Sequence, residues 1–184
     1  MRIVLGVTGS IAAYKACELV RLFVRRGDDV HVVMTASAQR FVTPLTFQTL
    51  SRNPVGTDQF EAPGEWRPEH IAFAEADAVV VAPATANVIA KMANGLADDL
   101  LTATLLATRA RVFVAPAMND GMWTNPATQS NLATLKGRGV TLIEPEEGEL
   151  ACGTSGKGRF ADPETICRTV ADGISQKHEQ NACT

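Results

Sequence analysis

Residues Ile3-Val4-Leu5-Gly6-Val7-Thr8-Gly9-Ser10-Ile11-Ala12-Ala13-Tyr14-Lys15 decide how this chain folds. Ile3 to Val7 form an unbroken apolar run, the mark of a strand buried on both faces. Beyond the turn, Ala12, Ala16, Leu19, Val20 and Phe23 fall on one face of a helix. A strand that turns at once into a helix leaves backbone N–H groups open at the turn, where the helix dipole favours an anion. Gly9 lets the backbone come close to such a ligand, and Ser10 suits either helix capping or a phosphate oxygen. The dinucleotide fingerprint G-x-G-x-x-G is absent: Gly6 and Gly9 are three apart and no third glycine follows. The turn therefore suits a mononucleotide phosphate, or is simply a tight strand-to-helix connection.

From this unit the pattern repeats. Gly27 closes the first helix and Val30-His31-Val32-Val33-Met34 forms a second strand. Thr35-Ala36-Ser37 then stands at that strand's C-terminal end, where open α/β sheets bind ligands. The hydroxyls of Thr35 and Ser37 suit a phosphate or a cap for the next helix. Phe41, Leu45, Phe47 and Leu50 suggest a short helical region, and Ser51 to Pro68, polar and rich in Pro and Gly, reads as a surface loop. Ala78 to Ala82 is a central parallel strand, followed by Pro83-Ala84-Thr85-Ala86-Asn87 and helices at Val88 to Met92 and Asp98 to Thr108. Arg111 to Ala115 is a fourth strand and ends in Pro116-Ala117-Met118-Asn119. Asn125-Pro126 opens a helix to about Lys136, and Val140 to Ile143 is a fifth strand. Glu144 to Phe160 reads as a glycine-rich loop, and Asp162-Pro163 caps and opens the last helix. The pattern predicts one α/β domain over residues 1–176, with a frayed tail over 177–184. Its core is a doubly wound, mostly parallel, Rossmann-like (flavodoxin-like) sheet in three α/β/α layers.

The totals agree with one domain. The chain has 184 residues, 46% of them hydrophobic, and a net charge of −3. No basic stripe or charge block points to nucleic acid or a membrane surface. No apolar stretch reaches the roughly 18 residues of a membrane span, and no secretory leader opens the chain, so a cytoplasmic protein is expected. Cys17, Cys152, Cys167 and Cys183 are scattered without a C-x-x-C, and only three histidines occur, so no metal site is expected. Cys17 and Cys167 read as buried fillers.

The Gly9-Ser10-Ile11 turn, Pro83 to Asn87, Pro116-Ala117-Met118-Asn119-Asp120-Gly121-Met122-Trp123 and Ala151-Cys152-Gly153-Thr154-Ser155-Gly156-Lys157-Gly158-Arg159 occur in this order. In that order and spacing the chain, from Met1 to about Val170, resembles the flavin-dependent cysteine decarboxylases. The resemblance implies FMN, with its phosphate at Gly9, Ser10 and Ile11. It implies further FMN contacts at Thr35, Ser37, Thr85, Ala86, Asn87 and Met118. Position 85 is Thr where related sequences often show Ser, which keeps the hydroxyl.

The resemblance also implies three catalytic residues. His70, ahead of Ile71 and the strand at Ala78, is similar to the family's active-site base. An imidazole titrates near pH ~6.5 and can accept a proton under neutral conditions. Asn119 would hold a carboxylate or amide through its paired donor and acceptor, though Asn also suits a turn. Cys152, among Ala151, Gly153, Thr154 and Ser155, would act as proton donor on a mobile clamp that closes over the substrate. Ala151, Cys152, Lys157 and Arg159 would then contact substrate, the two cations facing a phosphate or remaining solvated loop charges. Met122 and Trp123 read as pocket wall or core, with core favoured for Trp123.

The implied chemistry is oxidation of a cysteine thiol to a C=S group that serves as electron sink, loss of CO2, and reduction of the resulting enethiolate. The implied substrate is 4'-phosphopantothenoyl-L-cysteine and the product 4'-phosphopantetheine, in coenzyme A biosynthesis. The alternatives are a peptidyl-cysteine decarboxylase of peptide-antibiotic maturation, against which Cys152 argues, and a non-catalytic flavin-binding regulatory subunit. Homo-oligomers are implied, trimers or dodecamers of trimers, with FMN near subunit contacts. Many bacterial members fuse a second domain that joins cysteine to phosphopantothenate, an activity expected here on a separate chain.

Overall fold

The computed structural model describes residues 1–60 and 68–182. Three apolar runs become the centre of one sheet: β1 (Arg2–Val7), β4 (Ala78–Ala84) and β5 (Arg111–Pro116). Every residue of β4 is buried, as expected of a strand covered on both faces. With β2 (Asp29–Met34), β3 (Val55–Gly56) and β6 (Thr141–Leu142) they form a parallel sheet of order β3-β2-β1-β4-β5-β6. The chain winds outward from β1 to one edge, returns, and winds outward from β4 to the other. The reversal falls between β1 and β4, and the connections that follow them lead to helices on opposite faces, which leaves a crevice at their C-terminal ends.

Helices cover both faces. α1 (Ala16–Arg25), α2 (Pro44–Ser51) and α8 (Pro163–Ala182) pack on one side around Phe23, Phe47 and Ile166. α3 (Glu69–Ala74), α4 (Ala86–Asn94), α5 (Leu100–Ala107) and α7 (Pro126–Gly137) pack on the other around Ile89, Leu101 and Leu132. α1 buries Ala16, Leu19, Val20 and Phe23, the stripe legible in the sequence, and a 3-10 turn (Ile11–Lys15) precedes it. Gly6 has no side chain because Leu101 of α5 lies where one would stand. No helix among the described residues is long and apolar enough to cross a membrane.

Two regions differ from the sequence reading. The stretch expected as a surface loop from Ser51 to Pro68 contributes β3, which pairs with β2 through Val32 and Val33; residues 61–67 of it lie outside the described residues. The glycine-rich loop expected from Glu144 to Phe160 is an antiparallel hairpin of β7 (Glu146–Glu149) and β8 (Ser155–Arg159). Its glycines serve close packing, which composition alone does not distinguish from mobility. α8 runs on past Gln176 to Ala182, and Cys183 lies outside the described residues. Cys17 and Cys167 are half-buried at the margin of the core, and burial raises both thiols above the ordinary cysteine range.

Phe113 is fully buried between the sheet and α8, where a Cβ on Gly173 would come within 2.7 Å of its ring. Replacing Phe113 by Ala is expected to lower unfolding free energy by about 3–5 kcal/mol in urea denaturation. Phe60, 84% exposed, is expected to stay within about 0.5 kcal/mol on the same change.

Candidate functional site

The crevice at the C-terminal edge opens into a cavity of about 810 Å³. The turn after β1, the start of α4, the segment after β5 and the hairpin wall it. A buried hydroxyl joins the first two. Thr8 Oγ1 donates to the Pro83 carbonyl at 2.7 Å and accepts the Thr85 N–H at 3.0 Å. Thr8 is fully buried, so removing the hydroxyl would leave those two groups without partners. The sequence reading assigned Thr8 no role. A threonine between an apolar run and a glycine is the only signal it offered.

This bridge sets two helix starts side by side. Ser10 caps the 3-10 turn by accepting the Ala12 N–H at 3.3 Å, which leaves its own O–H proton for another acceptor. Thr85 caps α4 by accepting the Val88 N–H at 3.4 Å. Inside a helix the first N–H groups find no partner, so those of Ile11 and of Ala86 and Asn87 remain for a ligand. Two clustered helix starts favour an anion. Ile11, Ala117, Met118 and Met122 supply apolar wall beside them. A planar aromatic ring with an anionic tail fits this arrangement.

The opposite wall is built from β5 outward. Asn119 caps α6 (Asp120–Thr124): its Oδ1 accepts the Gly121 N–H at 2.9 Å. That bond fixes the amide and aims Nδ2 at Cys152 Sγ, 3.5 Å away. Cys152 stands in the turn of the hairpin, held by Leu150 N–H to Thr154 O at 2.8 Å and Gly153 N–H to Leu150 O at 2.9 Å. Gly153, at φ 81°, takes the left-handed conformation that the turn requires. The Thr154 hydroxyl, 3.1 Å from Sγ, then the Thr154 backbone and the Asn119 amide hold the Cys152 thiol below the ordinary cysteine range. Each stabilises the thiolate by hydrogen bonding. The thiol is exposed at the cavity. It is therefore both reachable and unusually ready to release a proton.

The structure thus brings together Gly9, Ser10, Ile11, Thr85, Ala86, Met118, Asn119, Ala151, Cys152 and Arg159 around one cavity. Other expected residues lie elsewhere. Thr35 is buried and its Oγ1 accepts the Ala38 N–H at 3.2 Å, so its hydroxyl serves as a local cap. Ser37 backs directly on Gly9 without lining the cavity. Asn87 is exposed at the start of α4, beside the cavity rather than in its wall.

Lys157 is turned away from the cavity. Its Nζ lies 3.3 Å from Glu144 and 5.5 Å from the centre of the Trp123 ring, in a separate pocket. Burial alone would raise the Glu144 carboxyl, but Lys136 and Lys157 outweigh it and hold it below the ordinary range. Trp123 is core, as its neighbours Leu132 and Leu135 show, and Met122 is exposed at the cavity. His70 sits half-buried at the start of α3, outside the cavity of its own chain. The hairpin explains why the orientation of Lys157 was not legible, since a loop reading carries no alternation of faces.

Residues 1–175 match the family described as Flavoprotein. The chain is 51% identical over 177 residues to the coenzyme A biosynthesis bifunctional protein CoaBC of Bacillus subtilis, covering 96% of this chain and 42% of that protein. It therefore spans less than half the length of that curated relative. Among solved structures it is similar to a PPC decarboxylase mutant complexed with pantothenoylaminoethenethiol, with a TM-score of 0.82 and 36% identity over 92% of this chain and 96% of the other. It is also similar to the FMN-dependent cysteine decarboxylase SpaF, with a TM-score of 0.77 and 33% identity over 94% of this chain and 97% of the other. On the crevice, the turn after β1 and these matches, the chain belongs to the flavoprotein family.

Proposed function

We propose that this chain carries out the FMN-dependent decarboxylation of 4'-phosphopantothenoyl-L-cysteine to 4'-phosphopantetheine, the decarboxylase step of coenzyme A biosynthesis. The observation that carries the reading is the Asn119 amide aimed at the Cys152 thiol, 3.5 Å away, at the mouth of a crevice-bottom cavity. FMN, when bound, supplies the reversible two-electron oxidation that turns the substrate's own thiol into an electron sink. The turn at Gly9 to Ile11 and the start of α4 at Thr85 to Asn87 would hold its phosphate, with Met118 against the ring. Ser37, behind Gly9, would support that turn, and Thr35, bonded to Val7 and Ala38, would hold the segment that carries Ser37.

The protein's own part is binding, orientation and proton transfer. Asn119 Nδ2 donates to a carboxylate or to the Cys152 sulfur, and its Oδ1 is already held by Gly121. Ala151 and Cys152 close one side of the cavity. Cys152 gives its proton to the carbon left after CO2 departs. A thiol with a lowered pKa does this well at neutral pH and loses the ability as it ionises. Lys15 and Arg159 line the cavity and suit a substrate phosphate; Arg159 also faces Glu146 at 3.8 Å.

His70 would act as base on the substrate. Because it lies outside its own cavity, it has to be delivered by a second copy, and the functional unit is then a homo-oligomer, trimeric or a larger assembly of trimers. The apolar rim fits this: Ile11, Tyr14 and Met122 are 55%, 60% and 48% exposed around the opening. Clustered exposed apolar side chains mark an interaction surface.

The purified protein is expected to bind FMN and to convert phosphopantothenoylcysteine anaerobically to phosphopantetheine and CO2, read by mass spectrometry. Flavin binding with no product would point to the regulatory-subunit reading instead. Cys152→Ser is expected to release the enethiol in place of the saturated thiol. The wild-type share of saturated thiol should fall as pH rises through the lowered thiol pKa. Thr8→Val, which strips the Pro83 carbonyl and Thr85 N–H of their partner, is expected to weaken FMN binding by about 1–3 kcal/mol in fluorescence titration.

A further inference from the structure

Asp120 follows Asn119 in the first turn of α6. Its Oδ1 accepts the backbone N–H of Lys157 at 3.1 Å. One residue before, Gly156 packs so closely on it that a Cβ there would lie 2.8 Å from Cβ and Cγ of Asp120. One residue after, Gly158 lies against the Met118 carbonyl with no room for a side chain, and its own carbonyl accepts the Met118 N–H at 3.0 Å. β8 therefore runs along the Met118–Asp120 segment like a further rung of sheet, with the Asp120 carboxylate standing where a backbone carbonyl would stand.

This rung carries weight because of what the hairpin lacks. Among the described residues β7 and β8 pair as strands with each other alone, with one further backbone bond from Met118 to Gly158, and a two-stranded ribbon has little stability of its own. The side-chain tie between Lys157 and Glu144 has partners 46% and 50% exposed, so it contributes little and weakens with salt. Asp120 grips the backbone instead, on a short side chain with few rotamers to lose. The turn bearing Cys152 is the far end of this ribbon, and Asn119, its partner, is the residue next to Asp120. One helical turn thus fixes both halves of the thiol–amide contact.

We propose that Asp120 is a positioning residue, whose carboxylate oxygen anchors the hairpin so that the Cys152 thiol meets the Asn119 amide. The proposal rests on reading Cys152 and Asn119 as a working pair. The role needs an acceptor oxygen at short reach and no charge. Asn meets that need, while Ala does not.

The test is alkylation of Cys152 by iodoacetamide in the full-length protein across pH, read by peptide mass spectrometry, for the wild type, Asp120→Ala and Asp120→Asn. Asp120→Ala is expected to titrate nearer an ordinary thiol, at about pH 8.5, and to react several-fold more slowly at neutral pH. Asp120→Asn is expected to follow the wild type. With substrate, Asp120→Ala should lower kcat for the saturated thiol while KM stays within about three-fold. Should Asp120→Ala not fold, Gly156→Ala, whose added methyl pushes β8 off Asp120, takes its place with the same expectation. A wild-type titration in Asp120→Ala, or an Asp120→Asn variant as impaired as Asp120→Ala, would overturn the proposal. Alkylation needs neither flavin nor substrate, so its outcome is separate from that of the turnover assay.

Discussion

The Thr8 hydroxyl, buried between the first and fourth strands, holds the crevice in register. Its O–H donates to the Pro83 carbonyl and its oxygen accepts the Thr85 N–H, which ties the turn after β1 to the start of α4. Without that bridge the Pro83 carbonyl and the Thr85 N–H would lose their partner at the point where the winding of the sheet reverses. With it, two helix starts present their open N–H groups to one volume. The anion preference of the site is thus a consequence of sheet topology plus one well-placed side chain.

The other wall rests on weaker ground and is correspondingly elaborate. A glycine-spaced ribbon is laid against the residues after β5, where absent side chains permit backbone to touch backbone. Gly158 against Met118 is the clearest case, and Gly156 packs on the Asp120 side chain. The ribbon's outer end carries an exposed thiol whose proton is loosened by Thr154 and by Asn119. The site thus joins a crevice built on the central sheet to a two-stranded arm that presents the thiol. Asp120 decides how lightly that arm is held.

The sheet was largely legible in the sequence because its central strands are unbroken apolar runs and its helices begin with caps, as at Ser10 and Asn125. The short strand at Val55–Gly56 was not, since two residues carry no period. The hairpin was missed because glycines at 148, 153, 156 and 158 read as freedom when most of them serve contact or a turn. Of the site, the turn at Gly9 was legible from the strand-to-helix pattern, while Asn119 and Cys152 were singled out separately by the family resemblance and their contact was not legible. For Lys157 the sequence left open a phosphate contact or a solvated loop charge, because nothing in it announced the Glu144 partner. His70 stands at the start of α3, outside the cavity, a separation in space that its place in the sequence does not reveal.

The most direct measurement is the visible absorbance of the flavin after anaerobic mixing with phosphopantothenoylcysteine in a stopped-flow instrument. The account predicts that the yellow oxidised band bleaches and then returns as thiol product forms. It predicts that the band stays bleached in Cys152→Ser, where the proton donor is missing. A band that never bleaches on adding substrate, or that returns equally fast without the Cys152 thiol, would contradict it.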